Sequence, residues 1–95
     1  MPTGSEMYTV HLSRRAQKDL TDLPKSEARR IRTALNDLAQ ETEPWLLVKK
    51  LQGHEEVPLY SCRVGRYRII LTIDHGHLVI FVITIEHRRS VYRQI

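Results

Sequence analysis

The stretch that most limits what this chain can become is Tyr60-Ser61-Cys62-Arg63-Val64-Gly65-Arg66-Tyr67-Arg68-Ile69-Ile70-Leu71. It reads as two β-strands about a two-residue turn, Gly65-Arg66, because a short loop with glycine between β-forming runs is hairpin chemistry. That turn fixes the pairing: Val64 with Tyr67, Arg63 with Arg68, Cys62 with Ile69, Ser61 with Ile70. Cross-strand partners share a face, so Arg63 and Arg68 stand side by side. Like charges directly opposite each other destabilise a sheet. A fold that keeps two arginines there either separates them by a register shift or sets them on an anion; the second is expected, with RNA phosphate as the anion. By the same pairing Cys62, Tyr60, Val64 and Tyr67 belong to the inward face and are expected in the core. The single cysteine excludes an internal disulfide.

The rest of the chain supplies a cover for that sheet. Met7-Tyr8-Thr9-Val10-His11-Leu12 alternates as a strand should. Ser13 is placed to cap a helix whose apolar stripe is Ala16, Leu20 and Leu23. Pro24 separates it from a second amphipathic helix marked by Ala28, Ile31, Leu35 and Leu38, expected to end near Glu41. Pro44 follows, and Trp45-Leu46-Leu47-Val48 is expected to pack on a sheet edge or helix end. Tyr8 and Trp45 are read as core rather than base-stacking residues. Residues 67–73 form a third strand, Asp74-His75-Gly76-His77 a turn, and residues 78–85 a β-branched run suited to a central strand buried on both faces. The order is β-α-α-β-β-β. The class is α+β: a small antiparallel sheet with an N-terminal helical hairpin packed on one face.

Ninety-five residues make one domain, expected over 7–95, with a disordered N-terminus over 1–6. No apolar run reaches the roughly 20 residues of a membrane span. The polar start lacks a signal-peptide core, and the chain is read as cytoplasmic. Residues 1–45 carry seven basic and seven acidic side chains, residues 46–95 eight and four, so the whole net charge of +4 lies in the second half. A basic surface on a small domain suits polyanions, nucleic acid above all. The bland reading is a solvated basic face.

Three motifs then resemble the RelE/ParE toxin superfamily, on the RelE side: Lys50-Leu51-Gln52-Gly53; Tyr60, Arg63-Val64-Gly65 and Tyr67-Arg68-Ile69; and Ile85, His87-Arg88-Arg89 and Val91-Tyr92-Arg93. The resemblance covers about residues 7–95. It implies a fold related to microbial ribonucleases and a toxin of a type II toxin–antitoxin system, which cleaves mRNA in the ribosomal A site without a metal or other cofactor. It also implies a RelB-like antitoxin as cognate partner, with a toxin–antitoxin heterotetramer as one assembly, and the ribosome and mRNA as targets. It places Arg63, Arg68, Arg88 and Tyr92 in the active site. Ser61 and Arg63 stand where the best-known members carry two lysines.

Metal-free RNA cleavage needs a base for the 2′-OH, cations for the phosphorane and an acid for the 5′-oxygen. Arginine suits the second task and, with a pKa above about 12, fails at the first. Arg63, Arg68 and Arg88 are therefore assigned to phosphate and transition-state binding. His87, Tyr92 and Glu86 are the candidates for proton transfer. Tyr92 could equally stack on a base or pin the tail, and His87 could be an ordinary surface histidine. Lys49, Lys50, Arg66, Arg89 and Arg93 are expected to contact RNA or ribosome, or to be solvated charge. His75 and His77 around Gly76 make too poor a ligand set for a metal. A gyrase-poisoning ParE-like toxin and an inactive RNA- or protein-binding module share the fold and stay open at this stage.

Overall fold

The computed structural model describes residues 7–51 and 56–87. Strand β1 (Thr9–Leu12) leads into helix α1 (Arg14–Thr21), helix α2 (Lys25–Ala39) and a 3₁₀ turn at Pro44–Leu47. Strands β2 (Lys49–Lys50), β3 (Tyr60–Val64), β4 (Tyr67–Asp74) and β5 (Val79–His87) complete the order. They form one five-stranded sheet, β1-β5-β4-β3-β2, with both helices against one face.

Ser13 begins α1 as its sequence suggests. Its Oγ accepts from the Ala16 N–H at 3.0 Å and donates to the Ile83 carbonyl at 2.6 Å. One side chain thus caps the helix, worth about 1 kcal/mol, and ties it to β5. Ala16 and Leu20 from α1 and Ile31, Leu35 and Leu38 from α2 are buried against the inner faces of β4 (Tyr67, Ile69, Leu71, Ile73) and β5 (Ile80, Val82, Ile85). Tyr8 joins this core, and Cys62, Tyr60, Val64 and Trp45 pack at its margin. Burial raises the pKa of the Cys62 thiol and keeps it protonated, as fits a core residue.

Four local readings differ from the structure. The sheet is mixed, because β1 runs parallel to β5. These two strands are joined through the whole domain, so no hairpin turn dictates their direction. A fifth strand exists, the two-residue β2, paired antiparallel with β3; it is too short for any alternation to announce it. Of the segment after Pro44, Trp45 and Val48 pack while Leu46 and Leu47 are exposed. Strand β5 has neighbours on both edges but a helical cover on one face only, so Phe81 is exposed. The expectation for residues 1–6 lies outside the described residues.

Alternation along β5 breaks once. Ile80 and Val82 are buried, then Ile85, a step of three. The pairing shows why: Ile70 opposes Thr84 and Leu71 opposes Val82, which leaves Ile83 as the extra residue of a β-bulge. A bulge shifts every later side chain to the other face. Helix α1 holds it from the open edge beyond the end of β1. The Val82 carbonyl accepts from the Ser13 N–H at 2.9 Å, and Asp19 Oδ2 accepts from the Ile85 N–H at 2.9 Å and the Thr84 hydroxyl at 3.1 Å.

Candidate RNA-binding face

The hairpin register is the one the sequence dictates: Arg63 opposes Arg68 and Val64 opposes Tyr67. Gly65 has φ +57°, while Arg66 is not among the residues with positive φ. A positive φ at the first central residue alone is the mark of a type II′ turn, whose twist matches that of the strands it joins. The Arg30 guanidinium of α2 rests on this turn, 3.5 Å from where a Cβ on Gly65 would lie.

Pairing sorts the face away from the helices into rows. Arg63, Arg68 and Glu86 form one row across β3, β4 and β5. Lys49, Ser61 and Ile70 lie in the next, so a lysine from β2 stands beside Ser61. Thr72 and Phe81 follow. Arg63 and Lys49 are exposed and Arg68 is half-buried. Among the described residues no carboxylate lies within ion-pair distance of Arg63, Arg66 or Arg68, and the Arg68 Nε is buried with no hydrogen-bond partner there. An N–H held out of water without an acceptor costs about 1–3 kcal/mol. A phosphate oxygen is an acceptor that relieves this cost.

The expected site residues divide as follows. Arg63, Arg68 and Lys49 share the open face, and Arg66 is exposed on the turn. Lys50 pairs with Tyr60 and so belongs to the opposite side of the edge strand. His87 pairs with Tyr67 on the helix side, away from the arginines. Its ring meets that of Tyr67 edge to face, centroids 5.2 Å apart at 85°. Tyr67 is buried, and burial followed by the Glu27 carboxylate beside it raises its phenolic pKa, against a lowering by Arg66. Arg88, Arg89, Tyr92 and Arg93 lie outside the described residues, as do Gln52 and Gly53 of the first motif. His77 is bonded to Asp74 (Nδ1–Oδ2, 2.9 Å), within the β4–β5 turn.

Three placements escape sequence reading: Lys49 beside Ser61, Arg30 on the Gly65 turn and Glu27 beside Tyr67. All join segments far apart in sequence. A separate cavity of about 340 Å³, between Leu20, Leu23 and Ala28 with Lys25, Arg29 and Arg32 at its rim, opens among the helices and contains none of the sheet arginines.

Residues 10–92 match the family model of the ParE toxin of type II toxin–antitoxin systems, parDE. Toxin RelG of Mycobacterium tuberculosis is 33% identical over 88 residues, covering 92% of this chain and 98% of that protein. The fold superposes on the toxin–antitoxin complex RelBE2 of Mycobacterium tuberculosis with a TM-score of 0.73 at 30% identity, over 87% of this chain and 93% of the other. It superposes equally on the archaeal RelE–RelB complex of Pyrococcus horikoshii, TM-score 0.73 at 31% identity, over 86% and 96% of the two chains. With a family model spanning nearly all of its described fold, this chain belongs to the ParE toxin family of type II toxin–antitoxin systems.

Proposed function

We infer that this toxin is a ribosome-dependent endoribonuclease that cleaves mRNA in the A site, is metal-independent and is neutralised by a RelB-like antitoxin. The observation that carries this reading is the Arg63–Arg68 pair on the open face of the sheet, flanked by Lys49 and without a carboxylate in ion-pair contact among the described residues. Adjacent guanidinium groups can each grip a phosphate through two N–H donors. Their preorganised charge then stabilises the phosphorane, and removal of one such donor typically costs 10²–10³ in rate, on the order seen for oxyanion holes. Arg88 and Tyr92, which follow the end of β5 in sequence, complete the set that the family resemblance implies. The solved relative from Pyrococcus horikoshii is a RelE–RelB complex, and the exposed Leu46, Leu47, Val57 and Phe81 here offer apolar surface to such a partner.

A gyrase-directed toxin is the second reading, favoured by the ParE description of the matching family model. The fold is common to both activities, so the site must decide. The test is primer extension on a reporter mRNA after induction, with and without Arg68→Ala. Codon-phased cuts that disappear in the variant support the ribonuclease. Intact mRNA with cleaved DNA and an SOS response supports gyrase poisoning, and neither effect identifies an inactive binding module.

A further inference from the structure

RNA cleavage at the arginine row needs a base that its guanidinium groups cannot supply. His87 stands on the helix side with Tyr67. Arginines stay charged and cannot accept a proton. One carboxylate remains in the row: Glu86, directly across from Arg68 and half-buried. Cross-strand partners keep their Cβ atoms about 4.5–5.5 Å apart, within reach of one nucleotide held by both side chains. The other acidic residue of this sheet, Asp74, lies six residues along β4, roughly 20 Å away at the rise of a strand.

Glu86 is on this face only because of the bulge. A regular β5 would continue the alternation of Ile80 and Val82, turn Glu86 towards the helices and send His87 to the arginines. The extra residue Ile83 exchanges them. Three side-chain hydrogen bonds from α1 hold that irregularity: Ser13 to the Ile83 carbonyl, and Asp19 from the Ile85 N–H and the Thr84 hydroxyl. Bulges that re-aim a side chain are over-represented next to active sites.

Resting on the ribonuclease reading above, we propose that Glu86 is the general base of this toxin. Its carboxylate takes the proton of the 2′-OH as the 2′-oxygen forms a bond to phosphorus. The bond from phosphorus to the 5′-oxygen breaks, and that oxygen leaves with a proton from solvent. The products are a 2′,3′-cyclic phosphate and a 5′-hydroxyl. Arg63 and Arg68 hold the phosphoryl oxygens throughout. Ser13 and Asp19 are positioning residues, acting through the bulge.

The contrasting role for Glu86 is charge neutralisation of the two arginines, and the two roles predict opposite outcomes. Glu86→Gln and Glu86→Ala toxins are assayed against wild type on mRNA-programmed ribosomes under single turnover, with melting temperature and ribosome affinity measured alongside. As general base, Glu86→Gln lowers the cleavage rate on the order of 10²–10⁴-fold, keeps or tightens ribosome binding, and loses the acidic limb of the pH–rate profile. Formate restores part of the rate to Glu86→Ala and none to Arg68→Ala. A Glu86→Gln toxin that cleaves at the wild-type rate with the wild-type pH profile overturns the proposal and leaves the ribonuclease reading standing. Wild-type toxin that leaves the mRNA intact overturns both.

Discussion

Asp19→Ala offers a measure of how firmly α1 holds the β5 bulge. In the folded chain Asp19 Oδ2 accepts two hydrogen bonds, 2.9 Å from the Ile85 N–H and 3.1 Å from the Thr84 hydroxyl. Ile85 and Thr84 are both buried. Truncation removes the acceptor and leaves the Ile85 N–H on the open edge of β5, where β1 has already ended. A hydrogen bond to a charged group contributes about 1.5–3 kcal/mol, and a buried donor left without a partner costs about 1–3 kcal/mol. These overlap, since the second is what loss of the first exposes, so the expected destabilisation is about 2–3 kcal/mol. In a domain of this size 1 kcal/mol moves the melting temperature by about 4–8 °C. Thermal denaturation followed by circular dichroism should then show a drop of at least about 8 °C. Asp19→Asn, which keeps an acceptor oxygen, should fall less. Amide exchange at Ile85 should accelerate more than at Ile69 in the centre of β4. A melting temperature unchanged in Asp19→Ala would refute the idea that this carboxylate secures the bulge.

Further outcomes follow from single features. Gly65→Ala keeps ordinary contact with Arg30 at 3.5 Å but places a side chain at φ +57°, so it should cost about 1–2 kcal/mol in chemical denaturation without a change in m-value. Lys49→Ala should weaken RNA binding alike for all sequences and reduce the slope of log affinity against log salt by about 1, read by filter binding across a salt series. The Asp74 carboxyl is held below its ordinary value of 3.8 by hydrogen bonds from His77 and Gly76. A depressed carboxyl contributes stability that is present above the ordinary value and lost as pH falls below it. Acid titration of the melting temperature should therefore flatten below that point in Asp74→Asn.

Much of this molecule is legible in sequence because its informative parts are local. The Gly65-Arg66 turn fixes a register over five residue pairs, so the Arg63–Arg68 contact follows without knowledge of the fold. Ser13 as a cap and the stripes of α1 and α2 are equally local. What sequence does not carry is long-range. The parallel pairing of β1 with β5 depends on where the helical hairpin delivers the chain. Strand β2 exists only because β3 offers it an edge, and that pairing puts Lys49 next to Ser61. The bulge at Ile83 is the most consequential of these. In the sequence, residues 78–85 are an apolar, β-branched run interrupted only by Thr84, and its pattern does not show the residue at which the face changes. Yet that single insertion decides that Glu86 joins the arginines and His87 joins Tyr67. The facing arginines are legible in the sequence; which of Glu86 and His87 joins them is not, because the side of the sheet each takes is set by hydrogen bonds from a helix some seventy residues earlier.

The most direct measurement is primer extension on mRNA-programmed ribosomes treated with purified toxin, comparing wild type with an Arg63→Ala/Arg68→Ala double variant whose fold is verified by its melting temperature. An Arg-built phosphate site predicts a cut within the A-site codon by wild type and its loss by at least about 100-fold in the variant. Intact mRNA with the wild-type protein, or cuts that persist undiminished without both arginines, would contradict it.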